Sequence, residues 1–230
     1  MGELIKKLVE IQKNIASGVE ISNQSYPLEF FQTVVGIDLS FHKNNIIVCF
    51  TVYELTSRTI HFFYKLDKSK FPYVPTFLAF RELPAINKLY KKLYSEFPTN
   101  TLFFIDGHGI SHPRRAGIAT HFGVKNNRYS IGVAKRLLYG KIQDPSFANN
   151  DQILQSYVID DNQYPIAIAL KTLLLNRKKV MGTKILYISV GNKLNLENSK
   201  NLFLELYQKH KIIPTELSHD YLQNLKKNML

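Results

Sequence analysis

The sequence predicts one α/β domain, residues 1–230, in which helices flank a mixed sheet. Residues 32–66 contain three runs of β-branched and aromatic residues, separated by short polar turns at 43–45 and 56–58, which is typical of an antiparallel meander. Residues 101–105 form a continuous apolar run of the kind found in buried parallel strands. Segments with apolar residues at helical spacing precede and follow these strands.

The remaining elements follow from the same periodicities. Leu4, Leu8, Ile11 and Ile15 predict an opening helix over residues 3–16. Further helices are predicted over residues 83–97, 115–122, 196–208 and 215–226. Further strands are predicted within residues 127–140 and over 155–159, 166–172 and 184–189. The expected order is therefore an antiparallel meander, a helix, and then parallel strands that alternate with helices.

The charge balance favours a polyanionic partner. The chain has 30 Lys and Arg against 18 Asp and Glu, a formal net charge of +12. Such a surplus favours nucleic acid because neutralising phosphates releases condensed counterions. A chain kept soluble by surface lysines is an equally good interpretation of the charge alone.

Composition also indicates where the protein works. No apolar run approaches the roughly 20 residues of a membrane span, and residues 1–7 lack a secretory signal pattern, so we expect a soluble, cytoplasmic protein with no membrane partner. The lone Cys49 excludes an intramolecular disulfide and is expected to be buried in the second strand. No apolar seam indicates an obligate oligomer, so we expect a monomer.

Three acidic residues in apolar surroundings are candidates for a metal site. Asp38 lies in the middle of the first predicted strand, Asp106 ends the strand at 101–105, and Glu82 follows an irregular segment. A buried carboxylate is costly unless it is paired or binds a cation, and for Asp38 alone a hydrogen bond to Ser40 or a neighbouring strand is the simpler interpretation. Asp106 changes this, because two facing carboxylates repel each other unless a cation lies between them. Three carboxylates in a basic protein fit Mg²⁺, which can activate water for phosphodiester hydrolysis.

The segment DGHGISHPRRAGIATHFGV, residues 106–124, concentrates histidines and suggests a zinc site as an alternative. His108, His112 and His121 lie close together in sequence, but no H-E-x-x-H motif is present and a single cysteine excludes a cysteine-based zinc site. We therefore expect these histidines to shape the loop through hydrogen bonds. A Ser/His/Asp triad lacks support as well, since there is no G-x-S-x-G motif.

The same segment contains groups suited to nucleic acid. Gly107 and Gly109 lie directly after the proposed metal ligand Asp106, where absent Cβ atoms would let backbone amides approach a base or phosphate. Arg114 and Arg115 are expected either to contact phosphates or to form a solvated pair at the start of a helix.

Four segments together resemble the endonuclease V family: VVGIDLSF, PYVPTFLAFRE, DGHGISHPRRAGIATHFGV and IGVAKRLLYG, in the family's order. The resemblance implies a ribonuclease H-like fold, whose sheet order agrees with the predicted one, and a Mg²⁺-dependent nuclease for which Mn²⁺ is an expected substitute. Family members recognise hypoxanthine in deaminated DNA and cut the second phosphodiester bond on its 3′ side, leaving 3′-hydroxyl and 5′-phosphate ends. An endoribonuclease for inosine-containing RNA and a non-catalytic binder of deaminated bases are the alternatives.

The resemblance also implies roles for individual residues. Asp38, Glu82 and Asp106 match the metal-binding carboxylates, and His219 matches a fourth ligand in a shorter segment, PTELSHDYLQ. Lys135 matches a lysine near the scissile phosphate, where a cation opposes developing charge.

The implied substrate contacts form a wedge and a pocket. The wedge is Pro72, Tyr73, Val74 and Pro75, an aromatic tip between prolines that would replace stacking lost when a base is extruded. The backbone of six residues would line the pocket for the base: Leu78, Ala79, Phe80, Gly107, His108 and Gly109. Thr76 stands where many family members have Gly, and His108 stands where Gln or Asn is common. Both residues border the predicted pocket, so these differences bear on which bases the protein accepts.

Overall fold

The computed structural model describes residues 2–42 and 45–228. Its helices are α1 (Gly2–Ser17), α2 (Leu78–Leu93), α3 (Ile118–Asn126), α4 (Leu196–His210) and α5 (Pro214–Asn228). Its strands are β1 (Thr33–His42), β2 (Asn45–Glu54), β3 (Ile60–Lys68), β4 (Leu102–Asp106), β5 (Tyr129–Ala134), β6 (Lys141–Ile142), β7 (Gln155–Ile159), β8 (Pro165–Lys171) and β9 (Ile185–Asn192). Lys43 and Asn44, in the first predicted turn, lie outside the described residues.

All nine strands form one mixed sheet in the order β3-β2-β1-β4-β5-β9-β8-β7-β6. The antiparallel meander β1-β2-β3 is confirmed, and β4 lies parallel to both β1 and β5. The expectation of parallel strands alternating with helices is wrong for the second half, where β5, β9, β8, β7 and β6 pair antiparallel. The physical reason for β7 and β8 is that residues 160–164 are too few for a parallel crossover, which needs a dozen or more.

Two helices begin three or more residues after or before their predicted first residue. α2 begins at Leu78 rather than at 83, because Ala79 already lies on the buried stripe that continues through Leu83 and Ile86. α3 begins at Ile118 rather than at 115, because Arg115 has a φ of 56°, which an α-helix cannot contain.

The sheet separates two hydrophobic clusters. Successive strand residues point to opposite faces, so Val34 packs with α4 in one cluster while Val35 packs with α2 and α3 in the other. Cys49 is buried in β2, as predicted. Within residues 2–42 and 45–228, no helix has the length and apolar character needed to cross a membrane.

Helix α5 lies directly on β1, and a glycine allows this approach. A Cβ atom at Gly36 would lie 2.1 Å from the carbonyl oxygen of Pro214, the first residue of α5. Ser218 of α5 also donates a hydrogen bond of 3.0 Å to the carbonyl of Gly36. This close packing brings His219 to the strand position that carries Asp38.

Candidate active site

Three carboxylates from separate elements converge at one end of the sheet. The parallel register pairs Ile37 of β1 with Ile105 of β4, so the next residues, Asp38 and Asp106, are neighbours. Glu82 reaches the same place from α2, and it is buried, as is Asp38. We call Asp38, Glu82 and Asp106 the carboxylate cluster.

The electrostatics of the carboxylate cluster show that its members lie close together without enough compensating charge. Burial, followed by the charges of Asp106 and Asp38, raises the pKa of Glu82 to about 8. Burial and the nearby Asp38 also raise the pKa of Asp106, although Lys135 opposes the shift. Burial disfavours the charged form of an acid and a like charge disfavours it further. A positive ion between these oxygens would relieve both effects.

Two basic side chains contact the carboxylate cluster. Lys135, which directly follows β5, places its Nζ 2.8 Å from Oδ2 of Asp106. His219 of α5 places its Nδ1 2.9 Å from Oδ2 of Asp38, and this hydrogen bond raises the pKa of His219. The five residues that the resemblance assigns to catalysis therefore lie together in the fold.

The chemistry of the cluster fits a hard divalent cation. Glu82 accepts no hydrogen bond from a residue in the described parts of the chain, although its side chain is buried. Across residues 2–42 and 45–228, no three His, Cys, Asp or Glu side chains are already arranged to hold a metal ion. Lys135 and His219 each contact one carboxylate of the cluster. Three carboxylates with an unpartnered buried member match the oxygen ligands that Mg²⁺ prefers.

A cavity of about 120 Å³ opens beside the carboxylate cluster. Seven of the predicted substrate residues line it: Tyr73, Val74, Pro75, Leu78, Ala79, Gly107 and His108. Further lining residues are Thr76, His112, Ala116, Gly117, Ile118 and Leu138. Tyr73 is 66% exposed, so its ring is free to contact a ligand at the mouth of the cavity.

Some predicted substrate residues do not line this cavity. Phe80 packs edge-on against His121, with ring centroids 5.3 Å apart. The amide of Gly109 donates to Oγ of Ser189, and a Cβ at Gly109 would lie 1.9 Å from the carbonyl oxygen of Val190. Gly109 thus allows the loop after β4 to pack on β9. Pro72 also lies outside the lining, next to Tyr73 at the wedge tip.

The two arginines of the loop are neither a solvated pair nor free cations. Arg114 donates to Oε1 of Gln12 at 2.5 Å and to Oγ1 of Thr76 at 2.6 Å. Arg115 forms a hydrogen-bonded ion pair with the buried Asp160. Both guanidinium groups therefore hold the loop to other parts of the fold.

Comparison with known proteins places the chain in a family. The endonuclease V family profile matches residues 13–220. An endonuclease V from Thermosipho melanesiensis is 34% identical over 223 residues, which cover 96% of this chain and 91% of that protein. This chain belongs to the endonuclease V family.

Solved endonuclease V structures share the fold. Human ENDOV superposes with a TM-score of 0.82 at 23% identity, covering 98% of this chain and 100% of that one. An endonuclease V from Ciona intestinalis, in complex with a 23mer DNA containing an inosine followed by a ribo-adenosine, gives a TM-score of 0.80 at 21% identity with full coverage of both chains. The predicted ribonuclease H-like fold and the assignment to a family of nucleases are confirmed.

Two polar residues beside the cavity, Gln12 and His112, escape prediction as site residues. Gln12 of α1 is wholly buried and contacts both Thr76 and Arg114. His112, predicted only as a loop histidine, contacts the carbonyl of Thr76. The available signal for Gln12 is its place between Leu8 and Ile15, where an amide interrupts the apolar stripe of an amphipathic helix.

Proposed function

We propose that this endonuclease V recognises deoxyinosine in DNA and hydrolyses the second phosphodiester bond on its 3′ side, leaving 3′-hydroxyl and 5′-phosphate ends. The observation that carries the proposal is the adjacency of the carboxylate cluster and the cavity, since Asp106 ends β4 and the next residue, Gly107, lines the cavity. The sugar-phosphate backbone that carries a base held in the cavity would lie beside the carboxylate cluster. The inosine-containing DNA bound by the relative from Ciona intestinalis supports this choice of substrate.

Four residues would hold Mg²⁺, with Mn²⁺ as a substitute: Asp38, Glu82, Asp106 and His219. When bound, such a cation lowers the pKa of a water and stabilises the departing oxygen of a phosphodiester. The raised pKa values of Glu82 and Asp106 support this assignment, because a bound cation would relieve the repulsion among the ionised acids.

The remaining residues bind and orient the nucleic acid. The ammonium group of Lys135 opposes negative charge that develops on the attacked phosphate. Tyr73, held between Pro72 and Pro75, enters the duplex and replaces the stacking of the extruded base. Backbone groups of Leu78, Ala79, Gly107 and His108 meet the hypoxanthine edge. Arg114 and Arg115 keep the loop of residues 107–117 in place. The protein as a whole acts as a monomer in the cytoplasm.

A nicking assay tests the proposal. A duplex oligonucleotide with one deoxyinosine and a label on the damaged strand is incubated with wild-type protein in MgCl₂, in MnCl₂ or in excess EDTA. We expect a single nick one nucleotide beyond the lesion, in the presence of either cation and not with EDTA. DNA ligase should reseal the nick, because sealing requires a 3′-hydroxyl beside a 5′-phosphate.

Matched variants and substrates identify the source of the activity. Asp38→Ala and Asp106→Ala should abolish nicking, whereas Asp220→Ala, an exposed acid next to His219, should leave it unchanged. Equal nicking of an undamaged duplex, or full activity of Asp106→Ala, would refute the proposal. Faster cleavage of inosine-containing RNA than of the matched DNA would instead identify an endoribonuclease, because that preference requires contact with the 2′-hydroxyl. Tight binding without cleavage would identify a binding protein for deaminated bases.

A further inference from the structure

Thr76 adopts a backbone conformation that its side chain opposes. Its φ is 66°, in the left-handed region. A β-branched residue is an outlier there, because its branched side chain crowds the backbone. Such a strained conformation persists only where surrounding contacts hold it, and residues in such conformations are concentrated at functional sites. Thr76 directly follows the wedge residue Pro75 and lies two residues before α2.

Three side-chain donors converge on the carbonyl oxygen of Thr76. Nε2 of Gln12 lies 2.7 Å away, Nε2 of His112 lies 2.9 Å away, and Nη2 of Arg114 lies 3.2 Å away. The amide of Arg114 donates to Nδ1 of His112, so the His112 proton is on Nε2 and this nitrogen is the donor to Thr76. We call Gln12, Thr76, His112 and Arg114 the Thr76 network.

Gln12 is the member that brings a distant helix into this network. It lies 64 residues before Thr76 and is 0% exposed, and within the described helix α1 it is the one residue classed as buried. Its Nε2 donates to Thr76 while its Oε1 accepts from Nε of Arg114, so both ends of the amide are used. The guanidinium of Arg114 also lies 4.7 Å from the ring centre of Phe77, which fixes it from a second side.

We propose that Gln12 is a positioning residue for the wedge: by holding the Thr76 carbonyl, α1 fixes the direction in which residues 72–75 leave the protein surface. The proposal rests on the proposed function, since it assumes that these residues separate strands at a lesion. Gln12 is wholly buried and both ends of its amide are bonded within the protein, so it has no free group to offer a base or a phosphate. Its contribution is therefore needed where a base must be separated from its partner, and dispensable where the base is already unpaired.

Gln12→Ala tests the proposal with two forms of one substrate. We expect kcat/KM on an inosine-containing duplex to fall roughly 10-fold, the loss typical of one buried hydrogen-bonding partner. On the same strand without its complement the fall should be less than about 2-fold, because no strand separation is required. Asn14→Ala, an exposed residue of the same helix, is the matched control and should behave as wild type on both.

Relief of the Thr76 strain provides an independent readout. Glycine adopts positive φ without a Cβ penalty, so Thr76→Gly should restore at least a third of the duplex activity lost in Gln12→Ala. If Gln12→Ala does not fold, Gln12→Glu keeps the shape and the acceptor for Arg114 but removes the donor to Thr76, and it should show the same duplex-specific defect.

Each outcome has a defined meaning. Equal losses on paired and unpaired substrate, unchanged duplex activity in Gln12→Ala, or failure of Thr76→Gly to restore activity would overturn the positioning role. If wild-type protein itself does not nick either inosine-containing substrate, the proposed function fails instead, so the two failures are distinguishable.

Discussion

The carboxylate cluster lies beside the cavity that Thr76 and His112 of the Thr76 network line, yet the two regions differ in how their polar groups are hydrogen-bonded. In the cluster, Glu82 is buried without a hydrogen-bond donor from the described residues, and its neighbours carry the same charge. In the network, one carbonyl receives three donors. Under the proposed function the cluster is completed by a cation and a substrate, whereas the carbonyl of Thr76 already has its hydrogen-bond donors. The carboxylate cluster and the Thr76 network therefore differ in how fully their buried polar groups are hydrogen-bonded.

The largest effect that separates the two regions is expected at Asp106. Asp106→Asn should lower the nicking rate by more than about 100-fold. Mutation of a residue that only supports a metal's ligands typically costs about 10- to 100-fold, so loss of a ligand itself should cost more. Without divalent cation it should not lower Tm, because the change removes a charge from a cluster of like charges. Nicking rates and thermal melting of the same preparation check both points. A marked fall in Tm would show that Asp106 stabilises the fold.

Acid is expected to lower the free energy of unfolding through the buried histidines near the loop, which is an effect of intermediate size. Burial lowers the pKa of His112 and of His121 to about 4. The unfolded chain takes up these protons near an ordinary pKa of about 6.5, so stability present above pH 6.5 is lost as pH falls toward 4, by up to about 1.4 kcal/mol per pH unit for each residue.

Denaturant titrations between pH 7 and pH 4.5 measure this acid effect. His121→Leu should reduce the slope by up to about 1.4 kcal/mol per pH unit, because it removes a histidine whose pKa burial lowers to about 4. His61→Leu, at an exposed position on β3, is the matched control and should leave the slope unchanged. An unaltered slope in His121→Leu would contradict the assignment.

The smallest effect concerns the stability cost of Glu82. At pH 9, above the raised pKa of about 8, Glu82→Gln keeps the side-chain shape and removes a buried charge, so it should raise Tm measured in EDTA by roughly 2–4 °C for each kcal/mol gained. The exposed Glu96→Gln should leave Tm unchanged. Added MgCl₂ should raise the Tm of wild type more than that of Glu82→Gln, because a ligand that binds only the folded state stabilises it. Equal shifts would show that Glu82 does not contribute to cation binding.

The two regions also differ in what the sequence could predict. The apolar runs before Asp38 and Asp106 predict strands, and their parallel pairing then brings the two carboxylates together. The Thr76 network joins residues 12, 76, 112 and 114, and no periodicity connects a buried glutamine on one helix with a carbonyl 64 residues later. The sequence does not predict that β6, β7, β8 and β9 pair antiparallel with their neighbours, because pairing direction depends on connection geometry rather than on strand composition.

The hydrogen bond from Ser218 to Gly36 joins residues 182 positions apart, which has a kinetic consequence. Contacts of such separation form slowly, because the entropy of closing a long loop is lost before the contact stabilises anything. The local strands and helices can form earlier, but His219 reaches Asp38 only when α5 docks on β1. During refolding from denaturant, recovery of nicking should therefore lag recovery of the far-ultraviolet circular dichroism signal.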